Sequence, residues 1–207
     1  MTWLTRGGAA AALAVGAATL WGVGWRGFGL LLAFFVSGSL LTRGGGRRNA
    51  RQVAANGSVA AAAALLGAWP AFAGALAAAA ADTWATEIGA RSPTPPRLIT
   101  TGVPVPRGAS GGITPLGTAG GVLGAAVMGV LAWVLGPHEL RLAGMVAFAG
   151  VVGMFVDSLL GATVQGSFED EPVHPTRGYA WLGNDGVNVA TTLAGAGIAA
   201  AGWRLCC

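Results

Sequence analysis

The chain contains no lysine, so all 12 of its basic side chains are arginines. Charge of either sign is scarce: 10% of residues are charged, against about a quarter in an ordinary soluble domain. That shortage argues against a soluble protein. A water-facing surface for 207 residues needs polar cover, and long Ala, Leu, Val and Gly runs supply none. Cysteine is nearly missing as well. Cys206 and Cys207 are adjacent at the C-terminus, which excludes a disulfide framework and a thiolate metal centre. They read as a plain tail or as a site of reversible lipidation. A net charge of +4 and a pI near 10.5 would suit nucleic-acid binding, but the arginines sit in short gaps between apolar runs. That placement is the loop anchoring of membrane proteins, and no nucleic-acid partner is expected.

What is present is hydrophobic: 54% of residues, with a mean hydropathy of +0.63. Seven apolar segments are each near the length that spans about 30 Å of hydrocarbon. They cover residues 8–25, 27–42, 54–69, 71–89, 113–136, 140–163 and 185–203. Arg6 before the first gives it some signal-peptide character, but the chain is polytopic either way and a retained helix is simpler. Only Trp69-Pro70 separates the third and fourth segments, and a single broken helix there reduces the count to six. The expected fold is therefore all-α: a polytopic integral membrane helix bundle of about seven transmembrane helices, forming one domain over residues 1–207. It is expected as a multi-pass protein of the cell membrane (plasma or inner).

The arginines set the orientation. With a cytoplasmic N-terminus, the inner loops hold Arg6, Arg43, Arg47, Arg48, Arg51, Arg91, Arg97, Arg107 and Arg177. The outer gaps hold Arg26, Arg141 and Arg204. Arg43–Arg51 reads as an anchor for anionic lipid headgroups. Glycines at small-residue spacing, such as Gly117, Gly120, Gly121 and Gly124, let helices approach closely in lipid. They serve packing within one chain or between copies in a homo-oligomer.

The acids carry the chemistry. Glu139 falls in an outer gap, and Glu169, Asp170 and Glu171 form a loop cluster. Asp82, Glu87, Asp157 and Asp185 instead fall on three helices, at one expected depth. Acids inside membrane helices are costly and mark functional sites. Asp82 and Thr86 share a helix face, with Thr83 and Glu87 beside them. Ser158 follows Asp157, and Gln165 lies further along. Asn184, Asp185, Asn188, Thr191 and Thr192 make a polar stripe that a lipid-facing helix does not tolerate. Oxygen donors without nearby His or Cys suit a hard cation such as Mg²⁺. Asp185 reads equally well as a helix cap. The turn Arg107-Gly108-Ala109-Ser110-Gly111-Gly112 precedes a helix. It reads as an ordinary loop or, beside the carboxylates, as a phosphate cradle.

These stretches resemble a known family. Ala81-Asp82-Thr83-Trp84-Ala85-Thr86-Glu87-Ile88-Gly89, Leu98-Ile99-Thr100-Thr101, Gly108-Ala109-Ser110-Gly111-Gly112, Asp157-Ser158-Leu159-Leu160-Gly161 and Asn184-Asp185-Gly186-Val187-Asn188 are similar, in order, to motifs of the transmembrane protein 19 family. That family is also called domain of unknown function 92, and it includes the plant phytyl-phosphate kinase of tocopherol synthesis. More distantly, Asp82, Ala85, Gly89, Arg97, Arg107, Ser110, Gly111 and Gly112 follow an order similar to that of phytol kinase, dolichol kinase and phosphatidate cytidylyltransferase. Those enzymes use CTP and favour Lys where Arg stands here.

The resemblance implies a kinase that converts a prenyl (phytyl or geranylgeranyl) monophosphate to the diphosphate, with Mg²⁺ and a nucleoside triphosphate, CTP favoured. Asp82, Glu87, Asp157 and Asp185 would hold Mg²⁺, or Glu87 would orient the acceptor. Arg97, Arg107, Gly108, Ser110, Gly111 and Gly112 would hold phosphates. Thr83, Thr86, Thr100, Thr101, Ser158, Gln165, Asn184 and Asn188 would complete the binding site. The rival expectation is an ion-coupled transporter whose acids bind the coupling ion.

Overall fold

A computed structural model describes residues 3–42, 46–166 and 178–205. Arg43, Glu169, Asp170, Glu171, Arg177, Cys206 and Cys207 lie outside these. The described residues form six helices and one short two-stranded sheet. The helices are α1 (Arg6–Leu41), α2 (Ala50–Leu65), α3 (Trp69–Gly89), α4 (Pro115–Leu135), α5 (Leu140–Thr163) and α6 (Asn184–Leu205). Strands β1 (Arg97–Leu98) and β2 (Gly112–Ile113) pair antiparallel between α3 and α4, with Arg97 opposite Ile113.

The first two expected segments are one helix folded back on itself. Gly24, at φ 68° and ψ −165°, departs from helical geometry inside α1. That is backbone glycine adopts readily and other residues do not. The Trp3 and Phe35 rings end up 5.9 Å apart, whereas a straight helix would separate them by about 48 Å. The two arms of α1 thus lie antiparallel. The third and fourth segments are separate helices, but the break falls earlier than Trp69-Pro70. Gly67, at φ 65°, makes the turn, and Trp69-Pro70 forms the first turn of α3, where proline lacks no needed donor. The count of six therefore arises at Gly24 and not by fusion at Trp69-Pro70.

Several helix starts carry their own signals. Thr5 Oγ1 accepts from Gly8 N at 3.0 Å. Asn49 and Gln52 form a reciprocal capping box at 3.0 Å each way. Thr114 Oγ1 accepts from Gly117 N at 3.0 Å and opens α4.

The bundle is built around α3, which touches all five other helices. Its run from Phe72 to Ala81 is buried throughout. Such a centre needs small side chains on both sides. Gly195 of α6 lies against Gly74, and Gly153 of α5 lies against Ala78. The outside carries the larger apolar residues: Trp21 is 88% exposed and Leu123 55%. A small-residue interior under a bulky apolar surface suits a lipid surround, where close packing replaces the hydrophobic drive. Three helices, α1, α4 and α5, are long and apolar enough to cross a membrane.

The arginines divide between the two ends of the bundle. Arg47 donates to Leu4 O and Arg91 to Leu41 O, at the end where α3 and α5 finish. At the other end Arg141 pairs with Glu139 at 3.3 Å and stacks 5.5 Å from Trp203.

Candidate functional site

The end where α3 and α5 finish and α4 and α6 begin holds a cavity of about 460 Å³. Helix α3 lines it with Asp82, Ala85, Thr86 and Gly89, which are spaced i, i+3, i+4 and i+7 on one face. Helix α5 adds Asp157 and Ser158, and the segment after it adds Gln165. The Arg107–Gly112 turn and the first turn of α4 close the opposite side, and Asn184 enters from the start of α6.

Two carboxyls meet at the inner wall. Asp82 and Asp157 are in side-chain hydrogen-bond contact. Thr191 Oγ1 donates to Asp157 Oδ1 at 3.0 Å. Ionised carboxylates offer only acceptors and repel each other, so such a pair needs a shared proton or a cation between its oxygens. Facing them is the N-terminus of α4, the positive end of its helix dipole.

The glycine turn is shaped by contact with α5. Gly108 and Gly111 have φ values of 86° and 78°. A Cβ on Gly111 would lie 2.5 Å from Ala162 Cα, so only glycine lets the turn sit on the helix end. Gln165 Nε2 donates to Ser110 Oγ at 3.0 Å and ties the turn to the segment after α5. Arg107 donates to Ser92 O at 2.6 Å and to Ala90 O at 3.4 Å, so it fixes the turn to the end of α3 as well as lining the cavity.

Of the expected site residues, the cavity gathers Asp82, Thr86, Arg107, Gly108, Ser110, Gly111, Gly112, Asp157, Ser158, Gln165 and Asn184. The others stand elsewhere. Thr83 Cγ2 packs near Gly38 of α1. Glu87 lies within electrostatic reach of Arg48 and outside the cavity lining, since positions 83 and 87 share a face different from that of 82 and 86. Arg97 lines a neighbouring groove. Thr100 is exposed, and Thr101 Oγ1 accepts from Val103 N at 3.4 Å within its own turn. Asp185 occupies the first turn of α6 beside Asn184, outside the lining. Asn188 is buried. Of the four acids expected around one ion, the cavity brings together Asp82 and Asp157, while Glu87 and Asp185 lie outside its lining. Among the described residues no group of three or more His, Cys, Asp or Glu is arranged to hold a metal.

Four residues have places that the sequence reading did not assign. Thr191 lay in the polar stripe without an assigned role. Thr114 and Thr118 carry the α4 wall; the signal was the Thr-Pro start of an apolar run. Arg48, expected as a lipid anchor, is half-buried and lies 6.0 Å from the Phe35 ring. Burial holds its guanidinium below the usual arginine value, and the Glu87 carboxylate partly offsets this.

A family described as integral membrane protein DUF92 matches residues 1–196. The chain is 34% identical over 184 residues to an uncharacterized membrane protein of Methanocaldococcus jannaschii, covering 80% of this chain and 71% of that protein. It is 30% identical over 203 residues to an uncharacterized membrane protein of Synechocystis, covering 86% and 74%. It is 35% identical over 95 residues to Protein PGR of Arabidopsis thaliana, covering 41% of this chain and 33% of that one. No solved structure matches.

Proposed function

Because the chain belongs to the DUF92 family of integral membrane proteins, we propose that it is a membrane phosphotransferase that extends a prenyl monophosphate to the diphosphate. The donor is a nucleoside triphosphate, CTP in preference, and the reaction is assisted by Mg²⁺ at the cytoplasmic face. The observation that carries this reading is the juxtaposition of the Asp82–Asp157 pair with the α4 N-terminus across one cavity, at the arginine-rich end of an apolar bundle. The reading places the N-terminus in the cytoplasm and treats the two arms of α1 and the other five helices as seven spans, since the positive-inside bias then falls on the cavity end.

The donor set fits Mg²⁺. This ion keeps several waters and takes only one or two protein carboxylates, leaving its other positions to substrate phosphates. Asp82 and Asp157 would hold it, with Thr191 orienting Asp157. When bound, Mg²⁺ would neutralise charge on the transferring phosphoryl group. Phosphoryl transfer otherwise needs positioning more than covalent chemistry. Arg107 and the Ser110–Gly112 turn hold the donor phosphates, and the α4 dipole favours the anionic acceptor. An oxygen of the prenyl phosphate attacks the terminal phosphorus, the bond to the bridging oxygen breaks, and the nucleoside diphosphate departs. The acceptor is already an anion, so the cavity needs no strong base.

The test is purified protein with geranylgeranyl or phytyl phosphate, Mg²⁺ and each common triphosphate, read as diphosphate formed. Asp82→Asn and Asp157→Asn should abolish turnover in folded protein. Absence of product with every donor, while the same variants alter solute uptake in liposomes, would establish the transporter instead.

A further inference from the structure

A polar cavity of about 460 Å³ accommodates a headgroup, but a hydrocarbon chain needs somewhere else to go. Among the described residues the packing around α3 leaves no room for it, because Ala73 to Ala81 are buried against close-packed small residues of α5 and α6. A second cavity, of about 830 Å³, lies on the outer face of α4. Its apolar wall is formed by Ala119, Val122, Leu123 and Ala126, spaced i, i+3, i+4 and i+7 on one helix face. Arg97 stands in its rim on β1.

The two cavities adjoin. Ile113, Thr114 and Thr118 line both. From Thr114 to Ala126 the α4 face descends about 18 Å at 1.5 Å per residue. One leaflet of hydrocarbon is about 15 Å deep. Val122 is 44% exposed and Leu123 55%, so the groove opens sideways, to the lipid around the bundle. Its charge is graded: the helix N-terminus and Arg97 at the top, apolar side chains below.

We propose that this groove along α4 holds the chain of a single-chain lipid phosphate whose headgroup occupies the adjoining polar cavity, the lipid entering laterally from the bilayer. The inference rests on the phosphotransferase reading for the reaction, but not for the binding. Moving a chain from lipid into an apolar groove gains almost nothing from the hydrophobic effect, since both surrounds are apolar. Chain selection therefore comes from shape. The small residues Ala119 and Ala126 hollow the groove, and both face outward, so a larger apolar residue there fills the groove without entering the core.

The experiment uses the full chain in phosphatidylcholine nanodiscs, photolabelled with a prenyl phosphate carrying a diazirine at the end of its chain. Labelled residues are mapped by mass spectrometry. The expected result is labelling between Ala119 and Ala126 that geranylgeranyl phosphate competes away and the neutral prenol does not. Ala126→Phe should cut that labelling severalfold and raise KM for geranylgeranyl phosphate, while KM for a short-chain prenyl phosphate stays unchanged. Labelling in the groove without diphosphate formation from any donor supports the groove and removes the phosphotransferase reading. Turnover with labelling confined to other helices overturns the groove and leaves that reading intact. Labelling that any lipid competes away, or none at all, also overturns the groove.

Discussion

Thr191→Val tests whether the Asp157 carboxylate is held for a cation. The substitution keeps the side-chain shape and removes the 3.0 Å donation from Thr191 Oγ1 to Asp157 Oδ1. Thr191 is 1% exposed, so water does not readily replace the lost donor. A hydrogen bond to a charged group is worth about 1.5–3 kcal/mol. Groups that orient a ligating side chain typically change metal affinity by about 10–100-fold when lost. The two figures agree, since tenfold corresponds to about 1.4 kcal/mol. The half-saturating Mg²⁺ concentration for turnover, and the Mn²⁺ dissociation constant followed by electron paramagnetic resonance, should both rise by that factor. KM for the lipid should hardly move, and Thr191→Ser should retain most of the wild-type behaviour. Unchanged metal titrations in folded Thr191→Val protein would refute a cation at Asp157.

Two further substitutions probe the rim of the cavity. Gly111→Ala costs about 1–2 kcal/mol for a side chain at φ 78° and about 1–3 kcal/mol more for overpacking against Ala162; the nucleotide KM should rise and the unfolding temperature should fall clearly. Arg107→Met removes two hydrogen bonds at an exposed position and should cost about 1 kcal/mol of stability, with a larger loss of triphosphate affinity measured by competition. Arg107→Lys should restore little, because the ammonium cannot reproduce the two-pronged contact with Ser92 O and Ala90 O.

The helices were legible because membrane length and apolarity are local properties of the chain. The fold-back at Gly24 was harder to see, since Gly24 is one glycine among 36 and only its backbone conformation reveals the turn. The site was legible along α3 down to the pairing of Asp82 with Thr86, which helical geometry dictates. Glu87, expected beside Asp82, stands outside the cavity lining for a related reason. It lies five residues beyond Asp82, off that face, and which face met which helix depended on packing. Arg48 looked like any loop arginine. Its burial follows from a long-range clasp in which Thr5 N donates to Arg48 O at 3.1 Å and Arg48 N donates to Trp3 O at 3.0 Å. No local pattern announces that contact.

The same spacing links packing to the site. Gly74, Ala78 and Asp82 are successive turns of one α3 face; Gly153 and Asp157 are successive turns of α5; Gly195 and Thr191 are successive turns of α6. Three helices therefore meet through small residues one turn below Asp82, Asp157 and Thr191. The closeness of the carboxyl pair is set by that junction. A Cβ on Gly153 would lie 2.5 Å from Ala78 Cβ and 3.4 Å from Thr191 O. Ordinary carbon contacts are about 3.5–4.0 Å, so Gly153→Ala must push α5 from α3 by about 1 Å. Overpacking of this kind costs about 1–3 kcal/mol of stability. A displacement of about 1 Å at reacting groups costs about 10²-fold in rate. Gly153→Ala should thus lose far more activity than its unfolding temperature suggests. Ala78→Gly in the same chain removes the opposing methyl and should restore most of the rate. If Gly153→Ala turns over normally, or if Ala78→Gly brings no recovery, the junction does not set the spacing of the pair.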